Sequence, residues 1–210
     1  AVYSKATDEG KRCQALGGAK NHAIVMPDAD LPNVVKALTG AAFGSSGERC
    51  MAISVAVAVG HQTATDLVAK LKTEMAGLKI GGPQNNNNDF GPLISAEHKE
   101  KVISFIESAE AEGAELVVDG RSPDLSDEDR GFFLGGTLID KVEPAMTCYR
   151  NEIFGPVLCV VHVDNLEEAM KLVSDHEYGN GVCLFTRDGE SARYFSDNVD
   201  AGMVGINVPL

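Results

Sequence analysis

Positive charge is scarce in this chain. Against 31 Asp and Glu there are only 18 Lys and Arg, for a formal net charge of −13. A nucleic-acid surface needs a basic patch that releases counterions, so this balance excludes that class of partner. The acidic residues are spread without a long like-charged run, which reads as a solvated surface rather than an interaction tail. Long apolar runs are lacking too. None reaches the length needed to span a bilayer and no signal peptide is visible, so no membrane partner is expected. Cysteine occurs five times, as Cys13, Cys50, Cys148, Cys159 and Cys183. An odd count without CxxC spacing argues against a disulfide framework or a zinc site and for a reducing compartment. The five histidines lack metal-ligand spacing, so no metal is expected. Nucleotide fingerprints are missing: there is no GxGxxG and no GxxxxGK[ST], and Gly17-Gly18 and Gly135-Gly136 are isolated pairs. From the residues alone, no dinucleotide site is inferred. No internal repeat and no linker divides the chain.

What is present is an ordinary globular composition, 44% hydrophobic and 23% charged. Helix-period segments alternate with short apolar runs, which predicts an α/β layer structure. Strands are expected at His22–Met26, Ile53–Val59, Glu115–Asp119, Val157–Val163, Val182–Thr186 and Met203–Asn207. Asp30 is placed to cap a helix from Leu31 towards Phe43, with Pro32 tolerated in its first turn. Ser95 is placed to cap a helix whose Val102, Ile103, Ile106 and Ala109 form one stripe. Asn165 and Glu168 begin another in the manner of a capping box. The Asn85–Asn88 run reads as a loop.

Two clusters stand out. Gly47-Glu48-Arg49-Cys50-Met51-Ala52 holds a cysteine on a glycine-flanked turn before a β-branched strand. A sulfur there can face a cleft, as a nucleophile must. The bland alternative is a small buried hydrophobe, but Gly47, Glu48 and Arg49 are poor core residues. Cys159 and Cys183 sit in apolar runs and read as core fillers; Cys148 is ambiguous. About a hundred residues on, Asn151-Glu152-Ile153-Phe154-Gly155-Pro156-Val157 joins a carboxylate, an aromatic ring and a rigid turn at another strand entrance.

Together these segments resemble the catalytic domain of the aldehyde dehydrogenase superfamily. Asp89-Phe90-Gly91-Pro92-Leu93-Ile94, Tyr178-Gly179 with Phe185-Thr186-Arg187-Asp188, and Gly202-Met203-Val204-Gly205-Ile206-Asn207 extend the likeness from Leu16 to Leu210. The resemblance implies a largely parallel sheet flanked by helices, an aldehyde substrate and NAD. It implies that Cys50 is the catalytic nucleophile and that its own N–H helps hold the oxyanion. It gives Glu152 the nicotinamide-ribose hydroxyls and sets Phe154 against the nicotinamide, making both cofactor-binding. Residues 1–15 are then a remnant of the NAD-binding domain. Residues 16–210 are the catalytic domain, cut before an oligomerisation strand, so that the full-length protein is expected to be a homo-dimer or tetramer.

One departure is informative. Hydrolytic members carry Glu-Leu-Gly-Gly-Lys, whose glutamate activates the deacylating water. Here the run is Ala15-Leu16-Gly17-Gly18-Ala19-Lys20-Asn21-His22, and neither Ala15 nor Leu16 can take a proton. The Gly-Ala-Lys-Asn-His string, followed by Val25-Met26-Pro27-Asp28-Ala29, is similar to the branch that acts on methylmalonate or malonate semialdehyde. That branch passes the acyl group to coenzyme A with loss of carbon dioxide. Arg49 beside the nucleophile is the expected substrate-binding residue, because a guanidinium forks onto a carboxylate. A hydrolytic enzyme whose base lies elsewhere, or a silent structural domain, are the alternatives. The compartment implied is bacterial cytoplasm or the mitochondrial matrix.

Overall fold

The computed structural model describes residues 1–125 and 131–210. In chain order its helices are α1 (Val2–Asp8), α2 (Leu31–Phe43), α3 (His61–Met75), α4 (Ala96–Ala111), α5 (Thr147–Arg150), α6 (Leu166–Ser174) and α7 (Gly189–Asn198). Its strands are β1 (Asn21–Val25), β2 (Ile53–Val59), β3 (Glu115–Val118), β4 (Thr137–Asp140), β5 (Val157–Val163), β6 (Gly181–Phe185) and β7 (Met203–Ile206). The strands form one sheet in the order β3-β4-β5-β2-β1-β6-β7. Every neighbouring pair is parallel except β3 with β4. This is the expected α/β architecture.

Strand alternation sorts the core onto two faces. From β2, Val55, Val57 and Val59 join Val102, Ile106 and Ala109 of α4 and Ala169, Met170 and Val173 of α6. Ala56 and Ala58 of the same strand face Val34, Val35 and Leu38 of α2 and Leu67 and Leu71 of α3. With both faces covered, β2 and β6 are almost wholly apolar, as buried parallel strands are, while β1 opens with the buried polar residues Asn21 and His22. The caps form as expected. Ser95 accepts from His98 N at 3.1 Å and Asn165 accepts from Glu168 N at 2.9 Å. Asp30 takes Asn33 Nδ2 at 3.0 Å, with Pro32 in the first turn of α2.

The strand β4 escaped the sequence reading. It has only four residues and comes after the isolated pair Gly135-Gly136. Those glycines serve close packing: Gly135 N donates to Gly120 O at 2.7 Å, and a Cβ on Gly120 would lie 2.1 Å from Gly135 O. Cys148, Cys159 and Cys183 are fully buried, while Cys50 is exposed. The helix α1 buries no residue, and Leu16 is 85% exposed. Among the described residues, no helix is long and apolar enough to cross a membrane.

Candidate active site

The two motif clusters meet at the amino ends of the parallel strands. Ala19 precedes β1, Cys50 precedes β2, Glu152 precedes β5 and Asn180 precedes β6. Open α/β sheets commonly bind ligands at the carboxyl ends, so this site is built on the opposite edge. A cavity of about 500 Å³ opens there, lined by residues 15–19, Cys50, Glu152 and residues 177–180. A second cavity, of about 560 Å³ between Tyr149, His162 and α6, contains none of the expected site residues.

A strained turn presents Cys50. Ser45, Ser46 and Gly47 take φ of 54°, 57° and 70°, three successive residues in the left-handed region. Such backbone costs non-glycine residues roughly 1–3 kcal/mol each and persists only where the surroundings hold it. Ser46 is buried and its Oγ donates to Gly91 O at 2.7 Å, so the Asp89–Ile94 match acts as a buttress. Gly47 packs backbone to backbone on the other motif: a Cβ there would sit 2.1 Å from Gly155 O. Beyond the turn, the carbonyl of Cys50 accepts from Asn21 Nδ2 at 2.9 Å and Asn180 Nδ2 at 3.1 Å. Both asparagines bind backbone, so the thiol itself is left exposed to the cavity.

Glu152 is tied from below. Its Oε1 accepts from Ala19 N at 3.2 Å. The adjoining Lys20 is 1% exposed, and its Nζ donates to Cys148 O at 2.6 Å and Asn151 O at 2.9 Å. Burial pushes the Lys20 pKa down; Cys159, Cys148 and Glu152 oppose that shift. The amine thus pins the turn that carries Glu152. Phe154 is 37% exposed with φ 56°, an uncommon conformation for a bulky residue. Arg49 is exposed, and its Nη2 donates to Gly40 O at 3.2 Å and Ala41 O at 2.9 Å. That contact places a cation on the last carbonyls of α2, a favourable position for positive charge.

Behind the site, His22 Nε2 meets Tyr149 Oη at 3.0 Å inside a buried aromatic group with His176. Burial, then the charges of His176 and Lys20, push the His22 pKa from 6.5 to about 3. The folded value lies below the unfolded one, so the unfolded chain takes the proton first as pH falls. Stability is therefore full above 6.5 and is lost as pH drops towards 3, by up to about 1.4 kcal/mol per pH unit. Urea melts of wild type and His22→Gln across that window should show a shallower acid loss in the variant. Parallel curves would mean His22 is not the responsible group.

Residues 1–210 match the aldehyde dehydrogenase family. The chain belongs to that family. It is 61% identical to malonate-semialdehyde dehydrogenase of Pseudomonas aeruginosa, over 100% of this chain and 42% of that protein. The acylating mitochondrial methylmalonate-semialdehyde/malonate-semialdehyde dehydrogenase of Bos taurus is 46% identical, over 99% of this chain and 38% of its own length. Crystalline methylmalonate-semialdehyde dehydrogenase from Oceanimonas doudoroffii has a TM-score of 0.96 at 63% identity, over 100% of this chain and 43% of that one. A Sinorhizobium meliloti 1021 protein crystallised in complex with NAD has a TM-score of 0.95 at 52% identity, over 99% and 42%. The chain thus spans about two fifths of the length of these relatives.

Within this aldehyde dehydrogenase chain, not every motif match lies at the site. The Asn207 side chain brackets the Thr186 backbone, its Nδ2 donating to Thr186 O at 2.9 Å and its Oδ1 accepting from Thr186 N at 3.0 Å, and Asp28 accepts from Arg187 N at 2.7 Å. These matches fasten β6 to its neighbours at the carboxyl ends. Conversely, Asn21, Asn180, Lys20 and Glu177 border the site although sequence reasoning gives none of them a role. Lys20 and Asn21 stand in the Gly-Ala-Lys-Asn-His string, and Glu177 and Asn180 flank Tyr178-Gly179, but neither motif assigns these side chains a role.

Proposed function

We propose that this chain is the catalytic part of a longer NAD-dependent aldehyde dehydrogenase that oxidises malonate or methylmalonate semialdehyde and transfers the acyl group to coenzyme A. The observation that carries the reading is one cavity wall holding an exposed Cys50 and a tethered Glu152, with Ala15 and Leu16 where hydrolytic members keep their base. The names of the relatives support the substrate class.

Cys50 attacks the aldehyde carbon as thiolate, and its own N–H donates to the oxygen that becomes negative. Glu152 and Phe154 suit the nicotinamide-ribose end of NAD: an anchored carboxylate to accept hydroxyls, and a half-exposed ring to pack on. When bound, NAD supplies the hydride acceptor. A thioacyl group then remains on Cys50. In a malonyl-type thioester the free carboxylate lies β to the carbonyl and leaves as carbon dioxide, its bonding pair passing into a thioester enolate that takes a proton from water at the α-carbon. Coenzyme A, attacking the thioester carbonyl as its thiolate, takes the acyl group and releases Cys50 as thiolate. A general base for water is typically worth ~10²–10⁴-fold, and a thiol acts without one.

Arg49 is the proposed clamp for the substrate carboxylate, using guanidinium donors beyond the Nη2 committed to α2. Arg49→Leu should depress turnover of the carboxylated semialdehyde far more than that of propanal, by on the order of 2–5 kcal/mol in kcat/KM. Equal losses would confine Arg49 to capping α2.

A hydrolytic reading has one observation in its favour. Glu177 is an exposed carboxylate on the same cavity as Cys50. Products of the full-length enzyme, analysed with and without coenzyme A, separate the two. Acyl-coenzyme A in stoichiometric amount is expected; free acid formed at full rate without coenzyme A, and lost in Glu177→Gln, would establish the hydrolytic route.

A further inference from the structure

His98 lies outside the cavity and outside every motif match, yet it bridges the two motifs. It sits in the first turn of α4, its N–H capped by Ser95 at 3.1 Å, so the ring projects from a fixed base. Its Nε2 lies 2.6 Å from the carbonyl oxygen of Phe154, and the two rings meet edge-on at 6.3 Å. A carbonyl carries no proton, so Nε2 is the protonated nitrogen and donates. The same Nε2 is 3.6 Å from Glu48 Oε1, two residues before Cys50, with both side chains 16% exposed. Glu48 is itself held, because Oε1 accepts from Ile94 N at 3.2 Å.

The residue that His98 grips is the strained one. Phe154 has φ 56°, whereas an extended or helical backbone would relieve it and swing its ring elsewhere. The cost of that conformation is comparable to the net contribution of one hydrogen bond, so removing a single short bond is enough to release it. Gly155-Pro156 fixes the chain after Phe154, and Lys20 fixes the chain before Glu152. The contact that His98 makes falls on the one residue between them that carries the ring.

We propose that His98 is a positioning residue: it locks Phe154 in its left-handed conformation and so sets the ring against the nicotinamide. This rests on the reading of Phe154 as a nicotinamide contact. The bond fixes the orientation of the ring that bears on the cofactor and leaves Cys50 presentation to Asn21 and Asn180. Loss of His98 should therefore appear in the Michaelis constant for NAD rather than in thiol reactivity.

The test uses the full-length enzyme with propanal, NAD and coenzyme A. His98→Phe keeps an aromatic ring and deletes the donor; His98→Gln keeps an N–H donor. His98→Phe should raise the KM for NAD about tenfold, and His98→Gln should bring it back to within about twofold of wild type. The rate of Cys50 alkylation by iodoacetamide and the melting temperature should stay unchanged in both. A wild-type KM for NAD in His98→Phe would overturn the proposal, as would a parallel loss of thiol reactivity and melting temperature, which marks a merely structural role. Phe154→Ala separates the underlying reading: if it too leaves the KM for NAD unchanged, the nicotinamide contact itself is wrong. An impaired Phe154→Ala beside an unimpaired His98→Phe would overturn the role of His98 alone.

Discussion

Replacing Cys50 by alanine should abolish aldehyde oxidation by the full-length enzyme, by on the order of 10⁴-fold or more, while leaving the fold intact. The two expectations come from different atoms of the same residue. Chemistry needs the sulfur, which is exposed at the cavity. Structure uses the carbonyl, which Asn21 and Asn180 hold and which alanine retains. An exposed side chain with no packing role should change stability by no more than about 0.5 kcal/mol. Steady-state NADH formation and a thermal melt check both halves. A variant with near-normal turnover would remove Cys50 from the mechanism.

Gly47→Ala should also be strongly damaging, without touching a reacting group. Its φ is 70°, and the added Cβ would meet Gly155 O at 2.1 Å and Gly155 C at 2.5 Å. Both are backbone atoms and cannot rotate away. The turn bearing Cys50 and the turn bearing Glu152 and Phe154 must separate by about an ångström. A displacement of that size typically costs ~10²-fold in rate. Stability should fall as well, by roughly 1–3 kcal/mol, since the strained turn loses its support. Kinetics of the purified variant together with urea melts measure the two losses. Unchanged kinetics would show that the spacing of the two turns does not matter to the reaction.

Much of this arrangement was legible in the sequence, because strong periodicity and specific short motifs mark strands and turns locally. The ranges of β2 and β5 agree with expectation residue for residue, since valine-rich apolar runs bounded by turn residues leave little choice. The strand β4 was hidden because Thr137–Asp140 is short and comes after paired glycines. The meeting of Gly47 with Gly155 was hidden for another reason. It joins residues more than a hundred apart, and a close backbone approach leaves no mark except the glycines themselves. Lys20 is the sharpest case. In sequence it looks like a surface cation, and only the fold shows its amine buried against Cys148 O and Asn151 O. Arg49 gave the converse result: its neighbour in sequence is the proposed nucleophile, but its observed hydrogen bonds run to the end of α2.

The most direct test is the mass of the peptide containing Cys50 after a single turnover of the full-length enzyme. Enzyme is mixed with NAD and propanal in the absence of coenzyme A, quenched in acid and digested. A propionyl group on Cys50, formed in step with a burst of NADH equal to the active sites and lost as propionyl-coenzyme A on adding coenzyme A, is the predicted result. An unmodified Cys50 after that burst, or an acyl group on any other residue, would contradict it.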